Sequence, residues 1–126
     1  ANDIASGTHF LVVTWHEKKR FVERVNFITS PGYLHGGNSR EEAGLAGGGP
    51  LGVITHLGIF GFDEQSKRMR LETLHPGVTV EEVRERTGFE LLIPNKISCT
   101  KAPTVEELRI LRELDPDQRY TKPKEE

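Results

Sequence analysis

Apolar and polar positions follow two different periods along this chain, and the change of period separates a strand-rich first part from a helix-rich end. "HFLVVTW" (9–15) is a short apolar run rich in β-branched residues, which predicts a strand covered on both faces. The charged break "HEKKR" (16–20) sits at the end of that strand, and a second apolar segment, "FVERVNFIT" (21–29), follows it. "SPGYLHGGNSREEAGLAGGGP" (30–50) is too crowded with glycine for regular structure and predicts a long surface loop. "GVITHLGIFGF" (52–62) resumes the strand pattern, and "MRLETL" (69–74) alternates. With "DEQSKR" between them, the two form a predicted hairpin with a polar tip.

The period then becomes helical. In "HPGVTVEEVRERTGF" a turn at Pro76-Gly77 precedes a helix start. There Thr79 accepts an N–H three residues on, Glu82 reaches back, Val78 staples to Val83, and Gly88 supplies a left-handed stop. "PTVEELRILRELDP" repeats the device with Thr104 and Glu107, and its Val105, Leu108, Leu111 and Leu114 recur every three residues along one side. No repeat of useful period relates the two helices, because "ELLIPNKISCTKAP" between them has no counterpart elsewhere. Strands first and helices late, with at least one helix able to cover a sheet face, predict a mixed α/β layer.

Composition narrows the function classes. A chain of 126 residues is one domain's worth, here a domain over 1–120 followed by a charged tail at 121–126. Seventeen basic against nineteen acidic residues give a net charge of −2, which offers no global attraction to a phosphate polymer. No nucleic-acid partner is expected. No apolar run reaches the roughly 18 residues that a membrane span needs, so no membrane partner is expected either. Cys99 is the sole cysteine, which excludes an intrachain disulfide and fits a reducing compartment. The first ten residues carry no basic region ahead of an apolar stretch. The expected compartment is therefore the cytoplasm.

The chemistry-bearing residues form no familiar catalytic spacing. His9, His16, His35, His56 and His75 include no HxxH or HxxxH pair, so no metal is expected. No nucleophile elbow or phosphate loop is present, and Cys99 between Ser98 and Thr100 has no base beside it in sequence, so it reads as a buried or edge thiol. The glycines of "GLAGGGP" (44–50) fit either a flexible connector or a close backbone approach to a ligand. "HEKKR" fits either a solvated turn, with Glu17 partly neutralising its neighbours, or a site where Lys18, Lys19 and Arg20 meet a small anion at a strand terminus.

Five segments in order resemble the C-terminal half of the β subunit of family I coenzyme A transferases, nearest the group of glutaconate CoA-transferase β subunits. They are "ANDIAS" (1–6), "HEKKRFVERVNFITSPGYL" (16–34), "GGGPLGVITHLGIFGFD" (47–63), "LHPGVTVEEVRERTGFEL" (74–91) and "PTVEELRILRELDPD" (103–117). The resemblance implies an open mixed sheet with flanking helices, incomplete in this chain. It also implies a reaction in which a glutamate carboxylate attacks an acyl-CoA thioester and carries CoA as a glutamyl-CoA thioester to an acceptor acid. Coenzyme A would enter as the acyl-CoA substrate.

In similar sequences a glycine-rich oxyanion turn stands just before "ANDIAS", and the nucleophilic glutamate lies further upstream. The resemblance thus implies that this chain, beginning at Ala1 without a methionine, holds no catalytic residue of its own and is inert alone. Its expected partners are the N-terminal part of the same subunit and a CoA-transferase α subunit in a hetero-oligomer. The site residues that it carries over are Asn2 and Asp3, beside the oxyanion turn, and Lys18, Lys19 and Arg20, near the CoA phosphates. Glu42 in "EEAGLAGGGP" imitates the family's glutamate motif but stands at the wrong place in the order, and His56 occupies a position where many relatives carry an acid. Two other readings stay open: a non-catalytic binding or structural partner, and one subunit of a related acyl-CoA hydrolase.

Overall fold

The computed structural model describes residues 9–121. Five strands, β1 (Phe10–Val13), β2 (Pro50–Ile54), β3 (Gly58–Phe62), β4 (Met69–Leu74) and β5 (Ser98–Cys99), lie side by side in chain order. The outer pairs β1/β2 and β4/β5 are parallel, and the inner pairs are antiparallel. Three helices accompany them: α1 (Ser39–Glu42), α2 (Val80–Glu85) and α3 (Val105–Leu114). This is an open mixed sheet with flanking helices, as the sequence implies.

The apolar run 52–62 is not one strand. Thr55 breaks it, because its Oγ1 accepts the N–H groups of Leu57 at 3.1 Å and Gly58 at 3.3 Å and so folds the chain back on itself. The hairpin of β3 and β4 forms with its polar tip at 63–68, where Asp63 Oδ1 accepts the N–H of Ser66 at 2.8 Å. Residues of one parity along β2 to β4 then face one layer, and Val53, Phe60 and Leu71 are buried there with Phe21, Leu57, Val83 and Leu91. Completely burying side chains such as Phe60, Leu71 and Val83 stabilises the fold by about 1.5–3 kcal/mol each.

Helix α2 supplies the cover through Val83, which is fully buried. Thr79 caps it as expected, accepting the N–H of Glu82 at 3.2 Å, but the Glu82 carboxylate pairs with Arg86 at 3.5 Å instead of reaching back. The reciprocal capping box forms at α3, between Thr104 and Glu107. Gly88 does not take the left-handed conformation expected of it. It is needed for a different reason: its N–H donates to the Phe21 carbonyl at 2.7 Å, and a Cβ there would lie 2.6 Å from that same oxygen. The segment 21–29 is accordingly no strand within the sheet; its Val22 bridges to Gly88 instead.

The expected helical cover is thus met by α2, but the expected cover of β1 is not. Strand β1 is not covered on both faces, since Leu11 is 55% and Val13 76% exposed and its outer edge is unpaired among the described residues. Helix α3 covers no sheet face: Val105 and Leu114 are 86% and 79% exposed, and none of its residues is buried. Both apolar signals are present in the sequence, but the surfaces that they call for are not supplied by residues 9–121.

The glycine-rich segment is a built loop. Arg40, buried on α1, donates from Nη1 to the carbonyls of Gly32 (2.9 Å) and Pro31 (3.2 Å) and from Nη2 to that of Ala46 (3.1 Å). Tyr33 Oη donates to the Pro50 carbonyl at 2.7 Å, with that of Gly48 at 3.2 Å. Gly49 passes between these two side chains at φ +80, where a Cβ would stand 3.1 Å from each.

The Gly88 contact makes a direct test of how the returning chain is held. Gly88→Ala should lower stability by about 1–3 kcal/mol, because the new methyl must push the Phe21 carbonyl out of its bond. A urea unfolding midpoint equal to that of the parent chain would show that the contact has no such role.

Candidate functional site

The carboxyl ends of the parallel pair β1 and β2 are the part of the sheet where polar side chains converge. In open α/β sheets ligands bind outside the carboxyl ends of strands. Beyond β1 come Trp15, His16 and the basic turn; beyond β2 come Thr55 and His56; the end of α2 brings Arg86 and Thr87.

His16 organises them. It is fully buried and stacks on Phe21, with ring centroids 3.8 Å apart and planes within 3°. The Thr87 hydroxyl donates to the Val83 carbonyl at 2.7 Å, so its oxygen accepts from His16 Nε2–H at 2.9 Å. Thr55 Oγ1 already accepts two backbone N–H groups, and its own hydrogen has His16 Nδ1 and the Gly58 carbonyl as acceptors, each at 3.4 Å. His75 Nε2–H donates to the Thr55 carbonyl at 2.9 Å. The backbone N–H of His16 donates to His56 Nδ1 at 3.2 Å. One imidazole thereby joins the exit of β1, the turn between β2 and β3, and the end of α2.

Burial, with His56 and Arg86 adding to it, depresses the His16 pKa to about 4, so the ring is neutral near pH 7. His56 is also pushed down, first by partial burial and then by the charge of Arg86. Ring nitrogens used in this way are not free for a metal. Among the described residues no group of three or more His, Cys, Asp or Glu side chains is placed to hold one.

Lys18, Lys19 and Arg20 form an exposed turn immediately after His16. Glu17 pairs with Arg20 at 2.5 Å and Lys19 at 3.2 Å, and these bonds, Arg20's first, hold its carboxyl below the usual range. The turn is thus both solvated and cationic, and its charge stands at the strand terminus. Asn2 and Asp3 lie outside the described residues. Glu42 is exposed on α1, remote in the chain from this end. Cys99 is exposed on the edge strand β5.

At the opposite ends of β1 and β2, where Phe10 and Pro50 begin them, a cleft of about 810 Å³ opens between the Tyr33 loop and the hairpin tip. Lys67 lies 5.6 Å from the Tyr33 ring centroid, and Arg68 pairs with Glu90 at 3.0 Å across the rim. No helix among the described residues is long and apolar enough to cross a membrane.

Neutral His16 has a pH consequence. Its folded pKa lies below the free-chain value, so its contribution is intact above pH 6.5 and is lost as pH falls toward about 4. The slope from this one group reaches at most about 1.4 kcal/mol per pH unit. Urea midpoints measured across this window should fall with acidification and fall less steeply in His16→Gln. Equal slopes in both proteins would refute a buried neutral His16.

The comparisons with known proteins agree with this architecture. The family model described as Coenzyme A transferase matches residues 1–86. The β subunit of glutaconate CoA-transferase of Acidaminococcus fermentans is 38% identical over 122 residues, 95% of this chain and 46% of that protein. The crystal structure of glutaconate coenzyme A-transferase from the same organism superimposes with a TM-score of 0.87, covering 98% of this chain and 48% of that one. The β subunit of 3-oxoadipate CoA-transferase of Pseudomonas knackmussii is 38% identical over 110 residues, 87% of this chain and 42% of that protein. The crystal structure of Rhodococcus jostii IpdAB, 31% identical, covers 90% of this chain and 44% of that one with a TM-score of 0.69. The chain spans somewhat less than half the length of these relatives. With the family model matching most of its length and 38% identity sustained over 95% of it, this chain belongs to the coenzyme A transferase family.

Proposed function

We propose that this chain is part of a cytoplasmic CoA-transferase, within its β subunit, and that the enzyme moves CoA between a carboxylic acid and an acyl-CoA. The observation that carries the reading is sustained similarity, in sequence and in fold, to a glutaconate CoA-transferase over nearly the whole chain. The chemistry proceeds through a glutamate. Its carboxylate adds to the thioester carbonyl and expels the CoA thiolate, giving a mixed anhydride. The thiolate then attacks the glutamyl carbonyl and releases the first acid, leaving a glutamyl-CoA thioester. The acceptor acid runs the same two steps backwards, so each exchange is split into lower barriers by covalent catalysis.

Within residues 9–121, the carboxylates near the carboxyl ends of β1 and β2 are unsuited to that role. Glu17 is tied to Arg20 and Lys19, and Glu82 to Arg86. As the family resemblance implies, the nucleophile is assigned to protein outside this chain. Lys18, Lys19 and Arg20 supply positive charge toward the CoA phosphates. The rest of the β subunit packs against β1, whose edge, unpaired among the described residues, and exposed Leu11 and Val13 suit the interior of a larger sheet. An α subunit completes the hetero-oligomer.

A hydrolytic reading has its own support. The Rhodococcus jostii protein named as a cholesterol ring-cleaving hydrolase IpdB subunit is 43% identical over 65 residues, 51% of this chain. That name describes cleavage of a ring, so it supports hydrolysis only as a reaction class; at a thioester, water would replace the acceptor acid.

Borohydride reduction of the assembled complex, treated with acyl-CoA, separates these. Transfer predicts that a glutamate outside these 126 residues is trapped; consumption of thioester with no glutamate modified would favour hydrolysis. Lys18→Ala with Lys19→Ala should raise KM for the CoA substrate by about three- to tenfold, with kcat little changed, because exposed charges contribute modestly and are screened by salt. Glu42→Gln should leave the exchange rate unaltered; loss of exchange would move the nucleophile onto α1.

A further inference from the structure

His56 has one hydrogen-bonding group that the histidine network leaves unspent. Its Nδ1 accepts the backbone N–H of His16, so the neutral ring carries its proton on Nε2, on the side away from that bond. The residue is exposed, and it stands two residues beyond the carboxyl end of β2. Its ring lies 4.7 Å from that of Trp15, tilted by 48°, which gives it an aromatic neighbour on the side of β1. Arg86 is brought to this end of the sheet by its neighbour Thr87, which bonds the His16 ring, and its charge opposes protonation of His56; the fields of Glu82, Glu17 and His75 also reach that ring.

Both of those carboxylates already have cationic partners: Glu82 has Arg86, and Glu17 has Lys19 and Arg20. An arriving anion therefore meets a fixed N–H donor, a guanidinium and a basic turn, with no unpaired carboxylate among these groups to repel it. A neutral imidazole is suited to this. It donates without needing to gain a proton, and its ring is held in orientation by a backbone bond rather than by a rotatable side chain.

We propose that His56 Nε2–H and the Arg86 guanidinium, walled by the Trp15 ring, form an oxyanion-recognition site at the carboxyl ends of β1 and β2, for a carboxylate or phosphate of the reactants. Its assignment to a reactant rests on the CoA-transferase reading; the site's existence does not. The shared chemistry is a hydrogen-bonded oxyanion, and the two sources are the acid substrate and the phosphates of CoA.

Trp15 is the only tryptophan in the chain, so its emission reports occupancy of this site directly. The full chain would be titrated with adenosine 3′,5′-bisphosphate and, separately, with glutarate. A saturable change with the nucleotide assigns the site to the CoA end, and one with glutarate assigns it to the acid. Two substitutions separate binding from structural support. In His56→Asn the amide oxygen still accepts the His16 N–H and the amide N–H₂ still donates outward, so affinity should stay within about threefold. In His56→Asp the acceptor for His16 is kept, but the outward donor is replaced by negative charge. Affinity should then fall at least about tenfold, the cost of a lost hydrogen bond to a charged group, with the urea midpoints of the two variants similar.

No saturable change with either probe, or equal affinities in the Asn and Asp variants, would overturn the site. CoA exchange by the assembled complex is scored separately. Exchange with no dependence of binding on His56 defeats this inference and leaves the transferase reading standing. Binding that depends on His56 in a complex unable to exchange CoA leaves the site standing and defeats the reading.

Discussion

A buried imidazole is the piece on which the rest of this molecule is hung. His16 bonds Thr87 at the end of α2, has the Thr55 hydroxyl of the turn after β2 on its other nitrogen, and offers its backbone N–H to His56. Its ring also stacks on Phe21, which Gly88 grips by the backbone. Three segments distant in sequence are thereby fixed around one side chain, and each bond has a determined direction because Thr55 and Thr87 have their remaining capacity used elsewhere. Replacing a member of such a satisfied network leaves buried polar groups unpaired, which costs about 1–3 kcal/mol per group. The same network sets the chemistry of the sheet end, since it decides which nitrogen of His56 points outward.

Apolar surface stays uncovered on β1, on α3 and in the returning segment of a chain that spans somewhat less than half the length of its relatives. A core of seven buried apolar side chains is enough to hold β2, β3, β4 and α2 together. Among the described residues it leaves the outer edge of β1 unpaired, α3 with an apolar side and no buried residue, and Val25, Phe27 and Ile28 exposed in the returning segment. An apolar strand without a neighbour is tolerated poorly in isolation. The proposed reading, in which further protein packs against this chain, would put those surfaces to use.

What the sequence disclosed was mostly local. The caps at Thr79 and Thr104 are legible because donor and acceptor lie three residues apart, and the β3–β4 hairpin is legible because alternation shows its faces. The turn at Thr55 was hidden inside an unbroken apolar run, since the hydroxyl that folds it looks like any strand threonine. Arg40 in a glycine-rich segment looks solvated; only the loop's closure around it shows a buried cation bonded to carbonyls. Lys18, Lys19 and Arg20 do stand at a strand end, but spacing could not draw His56 and Thr87 to them, because the bonds that join those two to His16 span 40 and 71 residues. Resemblance to a family carried the function further than spacing did, and Asn2 and Asp3 remain outside the described residues.

The tautomers of the histidines test the central claim most directly. Long-range proton–nitrogen correlation spectra of the chain, labelled with nitrogen-15 in its histidine rings, distinguish Nε2–H from Nδ1–H and neutral from charged imidazole. This account predicts that at neutral pH both His16 and His56 are uncharged and protonated on Nε2, with His16 remaining so well below pH 6. A His16 ring that titrates near the ordinary value of 6.5, or a His56 ring protonated on Nδ1, would contradict it.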